Sequence, residues 1–491
     1  MSFMLAKTKM MLKPSDNVGN DLLHPLKKNI EQRDQSLDAL RGFAILAMVL
    51  SSAIAFGGVL PAWMYHAQLP PPTHEFIPTL PGITWVDLVF PFFLFSMGAA
   101  IPLSLSKLER EGASFGRVFW IAARRFLLLT FFALFTVHMR ASVISATPGT
   151  TDYLLSILGF VLLCFQFYEY KGEKHRTLFS SLKILAFATA GFLLYALSFR
   201  GQGFSLTRVD VIILVLGNMA FFGTIIWWAT RKSPVLRLAL LPFVMAVFLG
   251  AKEEGSWNGA VFNYSPLPWM YRFYYLKYLF IILPGTLAGE WLLGAMKEEK
   301  GEENRNRVLL AGLLSFGLII ANVCFLFSRL LVLNFGVTVL LSLVIYIVLK
   351  RASAQNSNLQ KFFSAGVYLL LLGLFFEAYE GGIKKDVSTY SYYFVTTGLS
   401  FFMLIGLYSL QRIKGGDAVV RYLGRNGRNP MVAYVTGNLL LIPLLHLTGG
   451  IEVLNSLNTT AWGGFLRGVI FTGIVSLVTV VFVQRKWFWK T

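Results

Sequence analysis

The sequence predicts an all-α fold, a polytopic integral membrane helical bundle of about 14 transmembrane helices, and three observations predict it. The 491 residues are 55% hydrophobic and only 14% charged, with a mean hydropathy of +0.61. Soluble domains carry about 25% charged residues, so a soluble enzyme, a disordered tail and a disulfide scaffold are excluded. Apolar stretches of about 20 residues, the length that crosses a hydrocarbon core, recur along the whole chain. Lysine and arginine alternate between successive loops as the positive-inside rule requires.

Taken in order, the expected spans are 37–60, 84–106, 118–138, 151–168, 181–199, 210–229, 235–251, 273–296, 307–327, 331–349, 362–380, 391–411, 430–448 and 463–484. The seventh is short, and the ninth and tenth are parted by little more than Ser328-Arg329. With the N-terminus on the cytoplasmic side, inner segments carry 31 of the 44 Lys and Arg residues and outer loops carry 8. An even number of crossings returns the C-terminus to the same side. The net charge of +19 is therefore mostly topology and needs no nucleic-acid partner. Residues 1–35 form a polar, basic cytoplasmic segment without an apolar h-region, so the first span is expected to act as an uncleaved signal-anchor. The KEEKGEENRNR stretch reads as a solvated connector. Cys164 and Cys324 sit in apolar runs and read as small buried hydrophobes.

Ionisable residues inside spans are costly and mark functional candidates. Asp38 and Arg41 share a helical face at the cytoplasmic start of the first span, suited to pairing or to holding an anionic cosubstrate. Arg124 and Arg125 interrupt the third span. Two adjacent arginines point in different directions, so at least one should face the interior, to bind phosphate or to pair with Glu290 or another buried acid. Glu377 and Glu380 have no evident role. The outer loop 61–83, PAWMYHAQLPPPTHEFIPTLPGI, is stiffened by six prolines and carries His66 and His74. Either histidine could serve as a base, with Asp87 at the next helix start fixing its tautomer. His138 and His446 lie near outer span ends with no role assigned. Trp257, in the aromatic loop 252–271, reads as a membrane-belt residue or a sugar-stacking platform. Lys384 and Lys385 lie in an outer loop and could meet an anionic acceptor or phospholipid. Asn429, beside Pro430, could shape a span end or contact substrate. No Walker A, HExxH or GxSxG pattern is present, so ATP-driven transport and zinc hydrolysis lack support.

At these residues the chain resembles the heparan-alpha-glucosaminide N-acetyltransferase family. SLDALRGFAILAMVL, a His-bearing loop and TWVDLVFPFFLFSMGAAIPLSL resemble its opening, in which a loop histidine precedes D-L-V-F-P-x-F. ARRFLLL, IKKDVSTYSYYFVTTGLSFFMLIGLYSL and GRNGRNPMVAYVTGNLL resemble its later segments, in the same order. Two departures stand out: Ser52 replaces an Asn, and LLSILG lacks the family's Gln and Arg. The resemblance implies a transmembrane acyltransferase, of a bacterial type and in the bacterial inner (cytoplasmic) membrane. It would take acetyl from cytoplasmic acetyl-CoA, a cosubstrate, and deliver it to an amino sugar or related glycan across the membrane, with a catalytic loop histidine. His66, in H-A-Q, fits the family's spacing from the first span, and His74 fits the spacing to Asp87. Asp38, Arg41, Arg124 and Arg125 would hold the cosubstrate, and Lys384, Lys385, Asn429 and Trp257 the acceptor. Membrane lipids are the other expected partner, with no metal and no nucleic acid, and a homo-oligomer is allowed. The family-like parts are about 36–170, the catalytic-type part, and about 360–491, with additional helices at about 180–350. The rival class is a transporter or flippase of a small solute or lipid-linked sugar, which many spans and scattered intramembrane charges also suit.

Overall fold

The computed structural model describes residues 35–170, 172–295, 304–352 and 358–491. The basic segment before residue 35, with His24, and the connector around Lys297 and Lys300 lie outside the described residues. The main helices are α1 (Ser36–Ala53), α2 (Trp85–Arg110), α3 (Phe115–His138), α4 (Thr150–Phe167) and α5 (Arg176–Ala196). They continue as α6 (Val211–Thr230), α7 (Pro234–Gly250), α8 (Leu279–Ala295), α9 (Arg305–Phe327) and α10 (Leu331–Lys350). The last are α11 (Asn358–Phe376), α12 (Tyr390–Leu410), α13 (Gly416–Arg428), α14 (Pro430–Leu447) and α15 (Ala461–Gln484). Among the described residues, 13 helices are long and apolar enough to cross a membrane, and α7 is an apolar helix of 17 residues. The chain is thus an all-α polytopic membrane protein; α7 coincides with the expected span 235–251 but is shorter than the 13.

One element was not expected and one expectation needs correction. The cationic inner segment before Pro430 forms a helix, α13, whose buried side is Gly416, Val420, Gly424, Asn426 and Gly427. Its charge hides it from a hydropathy reading, although the alternation of apolar and basic positions is that of an amphipathic helix. Cys324 is exposed on α9 rather than buried, which suits a residue facing lipid.

Small residues let the central helices approach closely, the usual route to packing where lipid supplies no hydrophobic drive. A Cβ on Gly42 would lie 1.8 Å from the Leu423 carbonyl oxygen, and one on Gly427 1.9 Å from that of Asp38. The crossing of α1 and α13 therefore admits glycine only. In the same way Gly98, Gly285 and Gly289 bring α2 and α8 together. The innermost helix is α12, buried along nearly its whole length and packed on α11, α9, α8 and α2. The helices α5 and α10 lie at the periphery, mostly exposed. The early and late thirds of the chain thus meet at the centre, with α8 from the middle stretch between them.

Candidate active site

The site is built from the start of α2 outwards. Thr84 caps α2: its hydroxyl accepts the Val86 N–H at 3.3 Å, while its own N–H donates to Asp87 Oδ2 at 2.9 Å. T-x-x-D ahead of an apolar run is a capping box, and the positive end of the helix favours an anion there. The Ala67 N–H also donates to Asp87 Oδ2, at 3.2 Å, and the Tyr392 hydroxyl of α12 donates to the Asp87 carbonyl at 2.8 Å. Asp87 is 1% exposed, so the Thr84 and Ala67 N–H groups replace water around its carboxylate.

Asp87 Oδ1 lies 2.7 Å from His66 Nδ1. A carboxylate only accepts, so Nδ1 carries the proton and the neutral ring keeps its lone pair on Nε2. The His66 side chain is 32% exposed, with Nδ1 fixed on buried Asp87. Lys385 brings its ammonium to 3.2 Å from Nδ1 and 3.4 Å from Nε2.

His74 stands in a different environment. Its Nδ1 donates to the Leu69 carbonyl at 3.2 Å, its Nε2 accepts the Gly57 N–H at 3.1 Å, and its ring packs edge-on between Phe56 and Tyr65. Both nitrogens are committed to the loop's own backbone. Tyr65 completes this brace by donating to the Ala55 carbonyl at 2.6 Å, and burial holds its phenol above the ordinary value.

The loop carrying Lys385 is pinned on three sides. Gln68 accepts the Asp386 N–H at 2.8 Å through Oε1 and donates to the Asp386 carbonyl through Nε2. The buried Lys277 ammonium donates to the Ser388 carbonyl at 2.7 Å. The Gly82 N–H donates to the Ile383 carbonyl at 2.7 Å. Glu377 takes Arg329 and the Ile383 N–H, and Glu380 takes the Tyr390 N–H, so these two acids hold the same loop.

A cavity of about 350 Å³ lies within the bundle, lined by neither His66, Asp87 nor Lys385. Its far end holds Arg41, Arg125, Arg428 and Lys490, its walls are Ile45, Met48, Phe93, Met97, Leu129 and Phe132, and it reaches Phe90 and Tyr434. Phe90 is one helical turn from Asp87 on α2. Arg41 pairs with Asp38 at 3.7 Å and bonds the Ser96 carbonyl at 3.2 Å, and Asp38 also meets Arg428 at 3.6 Å. Arg125 is different: its buried Nε has no hydrogen-bond partner, and the charge of Arg41 reaches it. Two like charges and an orphaned donor beside a cavity fit a phosphate-bearing ligand.

Several expected residues lie elsewhere. Arg124 is exposed and does not line the cavity. The partner of Glu290 is not Arg125 but Arg237, 2.7 Å away and fully buried among Thr230, Thr286 and Glu290. Asn429 spends its amide on the Trp487 carbonyl and the Trp489 N–H. Trp257 is 73% exposed on a short helix, and the Lys384 backbone bonds Thr389. His138 donates to the Leu134 carbonyl, and His446 stacks on Tyr153. Sequence reasoning missed Gln68, Thr84, Lys277 and the Arg140–Asp210–Tyr434 cluster, where Asp210 takes Arg140 at 2.9 Å and Tyr434 at 2.7 Å. Of these only Thr84 carried a local signal, the capping box.

Fold and site together define a polytopic helical membrane protein with a carboxylate-oriented histidine at one end of the bundle and a cation-lined cavity opening towards the other. The chain belongs to the family described as a domain of unknown function (DUF5009), which it matches over residues 33–292, from α1 into α8. Over 101 residues it is 34% identical to the heparan-alpha-glucosaminide N-acetyltransferase of Homo sapiens. That stretch is 20% of this chain and 13% of the relative's length.

Proposed function

We propose that this protein is a membrane-embedded acyltransferase, moving an acetyl group from cytoplasmic acetyl-CoA to an amino sugar or related glycan acceptor on the far side of a bacterial inner membrane. The observation that carries the reading is the His66–Asp87 pair. An imidazole held at Nδ1 by a buried carboxylate, with Nε2 left for the substrate, is the arrangement that general-base acyl transfer requires. Partial similarity to an N-acetyltransferase supports the reaction class.

In this reading the phosphates of acetyl-CoA are held at the cationic end of the cavity by Arg125, aided by Arg41 and Arg428. The apolar walls receive the acyl-bearing arm and exclude water. His66 Nε2 takes the proton from the acceptor amine as its nitrogen attacks the thioester carbon. The C–S bond breaks, and the proton passes to the departing sulfur. Asp87 keeps Nδ1 protonated and stabilises the imidazolium formed in between. The exposed edge of His66 faces the acceptor's side.

The test uses purified protein in detergent with acetyl-CoA and glucosamine. Free CoA and acetylated amine should form with the wild type and fall to background in His66→Ala. Absence of both acetyl-CoA binding and turnover, with solute flux in liposomes, would establish a transporter instead.

A further inference from the structure

We propose that Lys385 is a catalytic residue, donating a hydrogen bond to the thioester carbonyl oxygen as it gains negative charge. The inference rests on the acyl-transfer reading above. Its ammonium lies 3.2 Å from Nδ1 and 3.4 Å from Nε2 of His66. Nδ1 already donates to Asp87 and cannot accept. A donor on the lone-pair axis of Nε2 would stand much farther from Nδ1 than from Nε2. The near equality of the two distances therefore puts the ammonium beside the ring, off that axis. Lys385 thus leaves the lone-pair axis of Nε2 free while its cation stands 3.4 Å from that nitrogen.

Two further observations separate Lys385 from a solvated lysine. Among the described residues it forms no ion pair within 4 Å; its ammonium lies against the His66 ring, and its charge also acts on Asp87. Its backbone is clamped on both sides, by Gln68 through Asp386, by Lys277 through Ser388 and by Gly82 through Ile383. An oxyanion donor works only if it is positioned before the charge develops, and the clamp supplies that positioning. During transfer the amine nitrogen–carbon bond forms and the carbon–sulfur bond breaks. The amine proton goes to His66 Nε2 and then to sulfur. Lys385 keeps its own proton throughout and stabilises the tetrahedral oxyanion between.

The experiment measures kcat, KM and directly determined acetyl-CoA affinity for the full chain in detergent, with glucosamine as acceptor, for the wild type, Lys385→Met and Lys385→Arg. The expected result is a kcat lowered about 10²–10³-fold in Lys385→Met, with acetyl-CoA affinity within about threefold of wild type. Lys385→Arg, which keeps a cationic donor, should recover about tenfold of that loss. An unchanged kcat in Lys385→Met, a loss confined to acetyl-CoA affinity, or equal losses in both variants would overturn the proposal while leaving acyl transfer standing. A wild-type protein that releases no CoA would overturn the acyl-transfer reading, and this inference with it.

Discussion

His66 and His74 lie in the same proline-framed loop, and their difference is set by who holds each ring nitrogen. His74 exchanges both with backbone at Leu69 and Gly57, whereas His66 gives one to Asp87. The proposed mechanism therefore predicts that His66→Ala lowers kcat for CoA release by roughly 10²–10⁴-fold. His74→Ala should leave kcat within about threefold and lower the melting temperature, because it removes a brace and not a base. Equal kinetic losses in the two variants would refute the distinction. Asp87→Asn carries a double cost. It removes the acceptor that fixes Nδ1–H, and it presents an amide to the Thr84 and Ala67 N–H groups. A kcat loss of the same order as for His66→Ala is expected, with about 1 kcal/mol of lost capping energy visible in thermal unfolding. Arg125→Ala should weaken acetyl-CoA binding roughly 10–100-fold, the scale of a charge-assisted hydrogen bond, while exposed Arg124 tolerates alanine. Isothermal titration of both arginine variants checks this.

At the scale of elements, the spans were legible because burial in lipid demands long apolar runs, a signal local in sequence. The site was legible only in part, because its pairings are not local. Lys385 meets His66, and Tyr392 meets Asp87, across most of the chain. No pattern near Arg237 announces Glu290, 53 residues on. The choice between His66 and His74 turns on loop conformation, which spacing does not encode. The helix α13 was hidden by its charge, yet its place is fixed by glycine. Gly42→Val or Gly427→Val should destabilise the crossing of α1 and α13 by about 1–3 kcal/mol, the usual cost of overpacking, and loosen the Asp38–Arg41–Arg428 group above it. Reduced thermal stability together with weaker acetyl-CoA binding is the expected outcome. Weaker binding at unchanged stability would mean the glycines act otherwise.

Over the whole molecule, the charge that first suggested either a polyanion or a membrane separates into two populations. Most of the basic residues lie in connecting segments and report orientation. A few are carried into the bundle, and each has a distinct environment: Arg237 with Glu290, Lys277 on the Ser388 carbonyl, Arg125 beside the cavity with an unpartnered nitrogen. The cavity lining runs from the Arg41, Arg125 and Arg428 group to Phe90, one turn beyond Asp87 on α2, and in the proposed mechanism a cosubstrate from one side and an acceptor from the other would meet inside the bundle. Sealed inside-out membrane vesicles test this vectorial transfer. Acetyl-labelled CoA is supplied outside, on the face that was cytoplasmic, and glucosamine is trapped in the lumen. Labelled N-acetylglucosamine is expected inside the vesicles, at a rate abolished by His66→Ala. Labelled product formed only when both substrates share one side, or none formed while solute crosses freely, would contradict it.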